Sequence, residues 1–313
     1  MTFSEIYALW KEEKARTLNK SSYSTYVLTV DTYILPTLAD KENITEADKD
    51  AMCEHILSEG LKPLTAQAAA GVLCNILRYG AGKGLCEYPT WTANKGKRRA
   101  SKEVHVLTTE QQAAIIDFID KDRNPGNIII YLALTTGINV GELRALCWQD
   151  IDFKARMLHI RSRVLNFYEI DTLEGERRWN SSHVEELQPR DIPLSKQQLA
   201  FLRPEKDAHL PELFVASNSE TPMDARVIRN RVGSIFKQLG IKGFQFKDLR
   251  HSFAVRCLEA GCDIVTLGTL LGTTSYEVLA SRYAAYIKPR PARFMELAMG
   301  SIHENAVFTR NVK

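Results

Sequence analysis

Apolar residues recur at helical spacing along the first part of the chain. In "FSEIYALWKEEKART", Phe3, Ile6, Tyr7 and Trp10 share one face, and the rhythm continues through "SSYSTYVLTVDTYILPTL" until Pro36. "TEADKDAMCEHILSEG" predicts a helix capped by Thr45 and closed at Gly60, and "TAQAAAGVLCNILRYGAGKG" predicts a fourth. The period then lapses. Residues 88–108, "YPTWTANKGKRRASKEVHVLT", are rich in Pro, Gly, Lys and Arg without apolar repeat, which marks a linker. Its "KGKRR" suits a targeting signal or, more simply, a flexible basic strap.

Beyond the linker, "TTEQQAAIIDFIDK", "PGNIIIYLALTTG" and "GELRALCWQDI" predict three helices. Strand-like pieces follow: "RMLHIRSRV" alternates, "LNFYEI" is aromatic and β-branched, and "RDIPLS" is a short strand ended by Pro193. Helices return from "SKQQLAFL" onward, at 224–239, 247–260, 263–271, 275–287 and around 291–300. A small sheet inside mostly helical text predicts an α+β fold. The expected division is a helical domain over 1–87, a basic linker over 88–105, and a second domain over 106–313 that holds a small antiparallel sheet.

Composition adds little beyond an ordinary globular character, with 44% hydrophobic and 25% charged residues. No stretch approaches the roughly 18 consecutive apolar residues of a membrane span, and "MTFSEIYALWKEEKART" lacks a signal-peptide core, so a cytoplasmic protein without membrane partners is expected. The six cysteines show no CxxC pairing, which favours reduced, buried thiols over a metal or disulfide role.

Net charge is only +3, but it is unevenly spread. Between Arg226 and Arg256 there are eight Lys or Arg against one acid, Asp248, and Arg282, Lys288, Arg290 and Arg293 form a second acid-free run. Such clusters are either solvated faces or the footprint of a phosphate backbone. On the second reading Lys95, Lys97, Arg98, Arg99, Arg226, Arg229, Arg231, Lys242 and Arg282 are the candidate DNA contacts.

Three fragments in fixed order, "TTGINVGELRALCWQDID", "KDLRHSFAVRCLEAG" and "LLGTTSYEVLASRYAAY", resemble the successive signature boxes of the tyrosine recombinase, or phage integrase, family. The resemblance covers about residues 106–290, and the helical first domain is similar to the family's core-binding domain. It implies a catalytic domain at 106–313, a clamp on duplex DNA, and a tyrosine that attacks a phosphodiester to give a 3′-phosphotyrosyl link without metal or cofactor. It places the nucleophile at Tyr283, 33 residues after Arg250, and matches Arg250 in "KDLRH" to the family's second arginine. Lys247 stands at the histidine of that box, and Glu142 at an acid that supports the pocket. Guanidiniums suit the task because a phosphorane gathers charge that a planar fork of donors can stabilise.

Departures from the family pattern are equally specific. Asn139 occupies the place of the first arginine, which implies a neutral side chain aimed at the scissile phosphate. Arg144 lies five residues on, about 140° around a helix, and cannot take its place. No lysine occurs between Lys154 and Lys196, so the hairpin general acid is missing where Val184, Glu185 and Glu186 stand, and Thr273 replaces a histidine. Losing one transition-state donor typically slows a reaction about 10² to 10³-fold. The expected function is therefore DNA binding within site-specific recombination or integration by a family member with an impaired active site. The alternative is an active integrase whose pocket is rearranged. The resemblance also implies other recombinase protomers as partners, docked through a terminal helix at 291–303 with Phe294, Leu297, Ala298 and Ile302 on one stripe, and a nucleoid-associated cytoplasmic location.

Overall fold

The computed structural model describes residues 1–91, 104–170, 177–288 and positions 291, 292, 295, 296, 299 and 300, with side chains omitted at 168–170 and 177–181. Lys95, Lys97, Arg98 and Arg99 of the expected linker, Arg290 and Arg293, and the stripe residues Phe294, Leu297, Ala298 and Ile302 lie outside the described residues. The chain forms two compact units: Met1–Ala100 with Val164–Glu185, and Ser101–Arg163 with Glu186–Lys313.

In the first unit, α1 (Phe3–Thr17) begins with a capping box from Thr2 and Glu5. It buries Phe3, Ile6, Tyr7 and Trp10, the face that periodicity selects. α2 (Lys20–Thr29) passes through a π-helical turn, Val30–Ile34, into α3 (Leu35–Leu38). The helix thus runs past Pro36 instead of ending there: a wider turn just upstream makes room where the proline ring would otherwise press on a preceding carbonyl. α4 (Glu46–Ser58), capped by Thr45, and α5 (Pro63–Gly82) complete a core that includes Met52, Ile56, Ala69, Leu73 and Ile76.

The second unit is arranged around α7 (Pro125–Thr136), which buries Ile128 through Leu134 without interruption. A helix that is apolar all round must be covered all round. α6 (Thr109–Lys121), α8 (Val140–Ala145), α10 (Ala225–Gln238) and α11 (Phe246–Ala260) pack against it. α9 (Lys196–Asp207), α12 (Ile264–Leu271) and α13 (Tyr276–Tyr283) follow the same chain order as the sequence pattern. The segment after Tyr283 is a 3-10 turn, Ala284–Tyr286, where the periodicity suggests continued α-helix.

The sheet has three strands in the order β1-β2-β3. β1 (Ile151–Asp152) pairs antiparallel with β2, placing Ile151 opposite Leu158 and Asp152 opposite Met157. The separate strand pieces of the sequence are two long arms, β2 (Met157–Ile170) and β3 (Arg177–Pro193). Most of β3 has no alternating apolar signal, since Ser182, His183, Val184 and Glu186 are exposed; backbone pairing, which leaves no mark on hydropathy, holds it. Residues 164–170 of β2 and 177–185 of β3 belong to the first unit. No described helix is long and apolar enough to cross a membrane. All six cysteines are free.

Gly137 ends α7 in the left-handed region, at φ 69°, and a Cβ there would lie 2.3 Å from Phe253 Cδ1 and 2.9 Å from Leu271 Cδ2. Gly137→Ala should destabilise the second unit by about 2 to 4 kcal/mol through combined backbone strain and overpacking. A urea-unfolding midpoint equal to that of the unmodified protein would refute this reading of the turn.

Candidate active site

Two helices end close to one another in left-handed glycines, α7 at Gly137 and α12 at Gly272. Helix C-termini carry carbonyls without intrahelical partners and a partial negative charge. Arg250, on α11, answers both. It donates from Nη1 to the Gly137 carbonyl at 2.6 Å and from Nη2 to the Leu271 carbonyl at 2.8 Å. Burial pushes its pKa below the ordinary arginine value; Glu142 and Tyr283 oppose that shift, and the neighbouring cations Arg190 and Arg282 add to it.

Arg190, near the end of β3, is a second guanidinium in the same place. Its two terminal nitrogens each donate to one carboxylate oxygen of Glu142, both at 2.8 Å, and Nε makes a long contact of 3.4 Å with the Leu270 carbonyl. The pair is well shielded, with side-chain exposures of 12% and 5%. Gly272 makes the space: a Cβ there would stand 2.6 Å from the guanidinium carbon of Arg190. Arg190 is a residue that the sequence reading missed. Its only sequence signal was membership of "RDIPLS", legible as a strand but not as a strand aimed at this pocket.

Asn139 is the N-cap of α8. Its side-chain oxygen accepts from the Glu142 backbone N–H at 3.0 Å, and its own N–H donates to Glu142 Oε2 at 3.1 Å. This is a physical reason for an uncharged residue at 139: an N-cap side chain must accept a hydrogen bond, which a guanidinium cannot do. In the DNA-free chain the Asn139 side chain is engaged in this local role. Arg144 is turned elsewhere, donating from Nε to the Met223 carbonyl at 2.6 Å and buried, with its pKa lowered by desolvation.

Tyr283 closes α13 and is 2% exposed. Its ring packs in a cluster with Val255, Leu258, Leu267, Leu271 and Leu279. Its hydroxyl lies 2.8 Å from Nδ1 of His251, and the two rings meet edge to face at 5.8 Å. Burial raises the phenol pKa, while Arg250 and Arg282 pull it down. For His251 burial dominates and lowers the pKa, so the neutral imidazole is favoured near neutral pH. His251 carries no distinct signal in the sequence beyond following Arg250; one residue along a helix is about 100° around, still within reach of the same neighbour.

Of the remaining candidates, Lys247 and Arg282 bear electrostatically on the pocket. Lys247 is exposed and lines a groove of about 640 Å³ with Val140, Arg229, Phe244, Gln245 and Phe246. Thr273 is half-buried and its hydroxyl accepts from Ser275 N–H at 3.4 Å. Arg226, Arg229, Lys242 and Arg282 are exposed. Arg231 is committed within the fold, to Asn127 at 2.9 Å and Asp122 at 3.2 Å. Among the described residues no group of three His, Cys, Asp or Glu side chains could hold a metal ion.

Removing one partner of a buried ion pair typically costs about 3 to 5 kcal/mol, because the other charge stays buried without compensation. Arg190→Met should therefore lower unfolding free energy by about 3 kcal/mol, and Arg190→Met combined with Glu142→Leu should lower it less than Arg190→Met alone. Urea melts of the three variants check this; strictly additive losses would show that the pair is not coupled.

Comparison with known proteins gives a consistent outcome. The model of the phage integrase family matches residues 105–288. A tyrosine recombinase XerC-like protein of Caldanaerobacter subterraneus is 22% identical over 266 residues, covering 77% of this chain and 67% of that protein. Tyrosine recombinase XerA of Pyrococcus furiosus is 31% identical over 172 residues, covering 54% of this chain and 53% of that protein. The chain therefore aligns with only about half of the latter's length. Among solved structures, the Tn1549 transposon integrase in complex with transposon right end DNA superposes with a TM-score of 0.69 at 17% identity, covering 97% of this chain and 100% of that one. A lambda integrase dimer bound to a core site gives 0.62 at 19% identity, covering 89% and 97%. These structural likenesses establish the fold, and the family match, which takes in more than half of the sequence, establishes that the chain belongs to the phage integrase family of tyrosine recombinases.

Proposed function

We propose that this chain binds duplex DNA and cuts and rejoins its strands through a transient 3′-phosphotyrosyl link at Tyr283, using a rearranged pocket. One observation carries this reading: Tyr283 stands at hydrogen-bond distance from His251, beside Arg250, with a second guanidinium, Arg190, next to Arg250. The charge that the sequence lacks at 139 is supplied from β3. Each of the two guanidiniums keeps N–H groups beyond those engaged by carbonyls and Glu142, as a phosphorane clamp requires. The exposed cations Arg226, Arg229, Lys242, Lys247 and Arg282 are the proposed phosphate contacts. That the Tn1549 and lambda integrases are held on DNA supports the same partner here.

A second reading has its own observation. The absence of lysine between 154 and 196 leaves the departing 5′-oxygen without the donor that the family resemblance implies. On this reading the chain binds DNA as a partner of other recombinase protomers, cleaves poorly or not at all, and docks through residues 291–303. Lambda integrase forms a dimer on its core site, which supports assembly as a proposal here.

Three measurements test these readings, and adduct formation separates them. Affinity for duplex DNA should fall steeply with salt, with a slope of about −0.9 in log–log form per phosphate neutralised. Affinity indifferent to salt would reject the clamp. On a pool of nicked suicide duplexes randomised around the scissile position, the protein should accumulate a slow covalent adduct that Tyr283→Phe abolishes. Tight, salt-dependent binding with no adduct selects the second reading. Truncation after residue 290 should weaken cooperative binding, and unchanged cooperativity would exclude the terminal segment as a protomer contact.

A further inference from the structure

We propose that His251 is the general base for Tyr283, accepting the phenol proton at Nδ1 as the tyrosine oxygen attacks phosphorus. The inference rests on the reading of Tyr283 as a nucleophile and extends it to His251, which lies in the signature fragment "KDLRH" but has no role in the sequence reading.

Geometry comes first. A base must lie within hydrogen-bond reach of the proton it removes, and the Nδ1–Oη separation of 2.8 Å meets that condition in the DNA-free chain. The two rings meet at 63°, with Tyr283 packed in the cluster that includes Val255 and Leu258, both on the same helix as His251. The phenol is thereby held against the imidazole by the cluster packing and the hydrogen bond.

Charge comes second. A base has to be unprotonated to work. The groups that bear on the ring are Asp248, which favours the imidazolium, and Lys247, Arg250 and Arg282, which oppose it, with Tyr283 as its hydrogen-bond partner. Burial outweighs them all and lowers the pKa, so the ring is neutral near pH 7. The phenol moves the other way and is raised by burial, which means that it does not ionise unaided at neutral pH. A neutral acceptor next to a reluctant acid is the arrangement that makes general-base catalysis useful.

The step balances as follows. The Tyr283 O–H bond breaks and its proton passes to Nδ1, giving an imidazolium. The phenolic oxygen forms a bond to phosphorus, the bond from phosphorus to the 5′-oxygen breaks, and the departing oxygen keeps the electron pair and takes a proton from water. On rejoining, the 5′-hydroxyl returns its proton to solvent as it attacks, and the imidazolium returns its own to the phenolic oxygen.

A bridging 5′-phosphorothiolate removes the weakness at the leaving group, because a thiolate departs without protonation. The test uses a randomised pool of nicked duplexes bearing that linkage and measures single-turnover adduct formation over the imidazole range, about pH 5 to 8. The unmodified protein should show a rate that rises as pH passes the lowered His251 pKa and then levels. His251→Gln should slow the adduct by about 10²-fold or more, with the plateau replaced by a rise that continues toward the phenol range. His251→Gly should recover rate when imidazole is added, provided its DNA affinity and thermal unfolding match the unmodified protein. Independently, ¹⁵N spectra of the unmodified protein should show Nδ1 of His251 unprotonated at neutral pH.

Each contrary result is decisive. An adduct that forms at the unmodified rate in His251→Gln, or faster as if a restraint had been released, overturns the role of His251 while leaving Tyr283 as nucleophile. A protonated Nδ1 at neutral pH does the same. No adduct from the unmodified protein on the phosphorothiolate pool overturns the nucleophile itself, and the inference with it.

Discussion

Two guanidiniums buried side by side are an electrostatic problem before they are a catalytic asset. Burial lowers the Arg250 pKa and the nearby charge of Arg190 adds to that lowering; at about 4 Å, like charges repel by about 4 kcal/mol at intermediate dielectric. The second unit offsets this with the C-terminal ends of two helices and one carboxylate. The Gly137 and Leu271 carbonyls hold Arg250, and the Glu142 carboxylate, with the Leu270 carbonyl at longer range, holds Arg190. The rest of the unit follows from keeping those acceptors in place.

Both helices end where they must for this purpose. The left-handed glycines at 137 and 272 stop α7 and α12 with their last carbonyls turned to the arginines, and neither position has room for a Cβ. α7 is fixed because it is buried all round. Glu142 is fixed from two sides, by the capping box with Asn139 and by the fork of Arg190. One carboxylate thus couples the start of α8 to the end of β3. Tyr283 is set by the apolar cluster of α11, α12 and α13, which shares Leu271 with the Arg250 site, and its hydroxyl lies at hydrogen-bond distance from His251.

What the sequence made legible divides along the same line. Helices announced themselves because burial of one face imposes a period, as with Phe3, Ile6, Tyr7 and Trp10, and because caps such as Thr45 and Thr108 are local. β3 was only partly visible, since a strand held by backbone pairing need not alternate. Within the pocket, Tyr283, Arg250 and Glu142 were read from fragments of fixed order. Arg190 was not, because its relation to Glu142 spans 48 positions and depends on where a hairpin arm returns. Asn139 is legible as a departure from the family pattern, and the structure adds that its side chain accepts a hydrogen bond at the N-cap of α8, which a guanidinium could not do. Position alone identified the site of a difference; only the hydrogen bonds identified its reason.

The chemistry that emerges is lopsided. On the attacking side the phenol has an acceptor at 2.8 Å and cations near enough to pull down its pKa. Around the phosphate two guanidiniums are available. For the departing oxygen, the donor that the family resemblance implies has no counterpart, since no lysine lies between Lys154 and Lys196, and the exposed positions of β3 that follow Arg177 include Glu186. A transition state is as accessible as its least stabilised part allows, since an interaction lowers the barrier only where charge develops. Stabilising the nucleophile further would gain little while the leaving oxygen takes its proton from water. If the proposed strand cleavage occurs, its barrier is set chiefly at the 5′-oxygen, and any partner able to deliver one proton there would act at the step where stabilisation is most deficient.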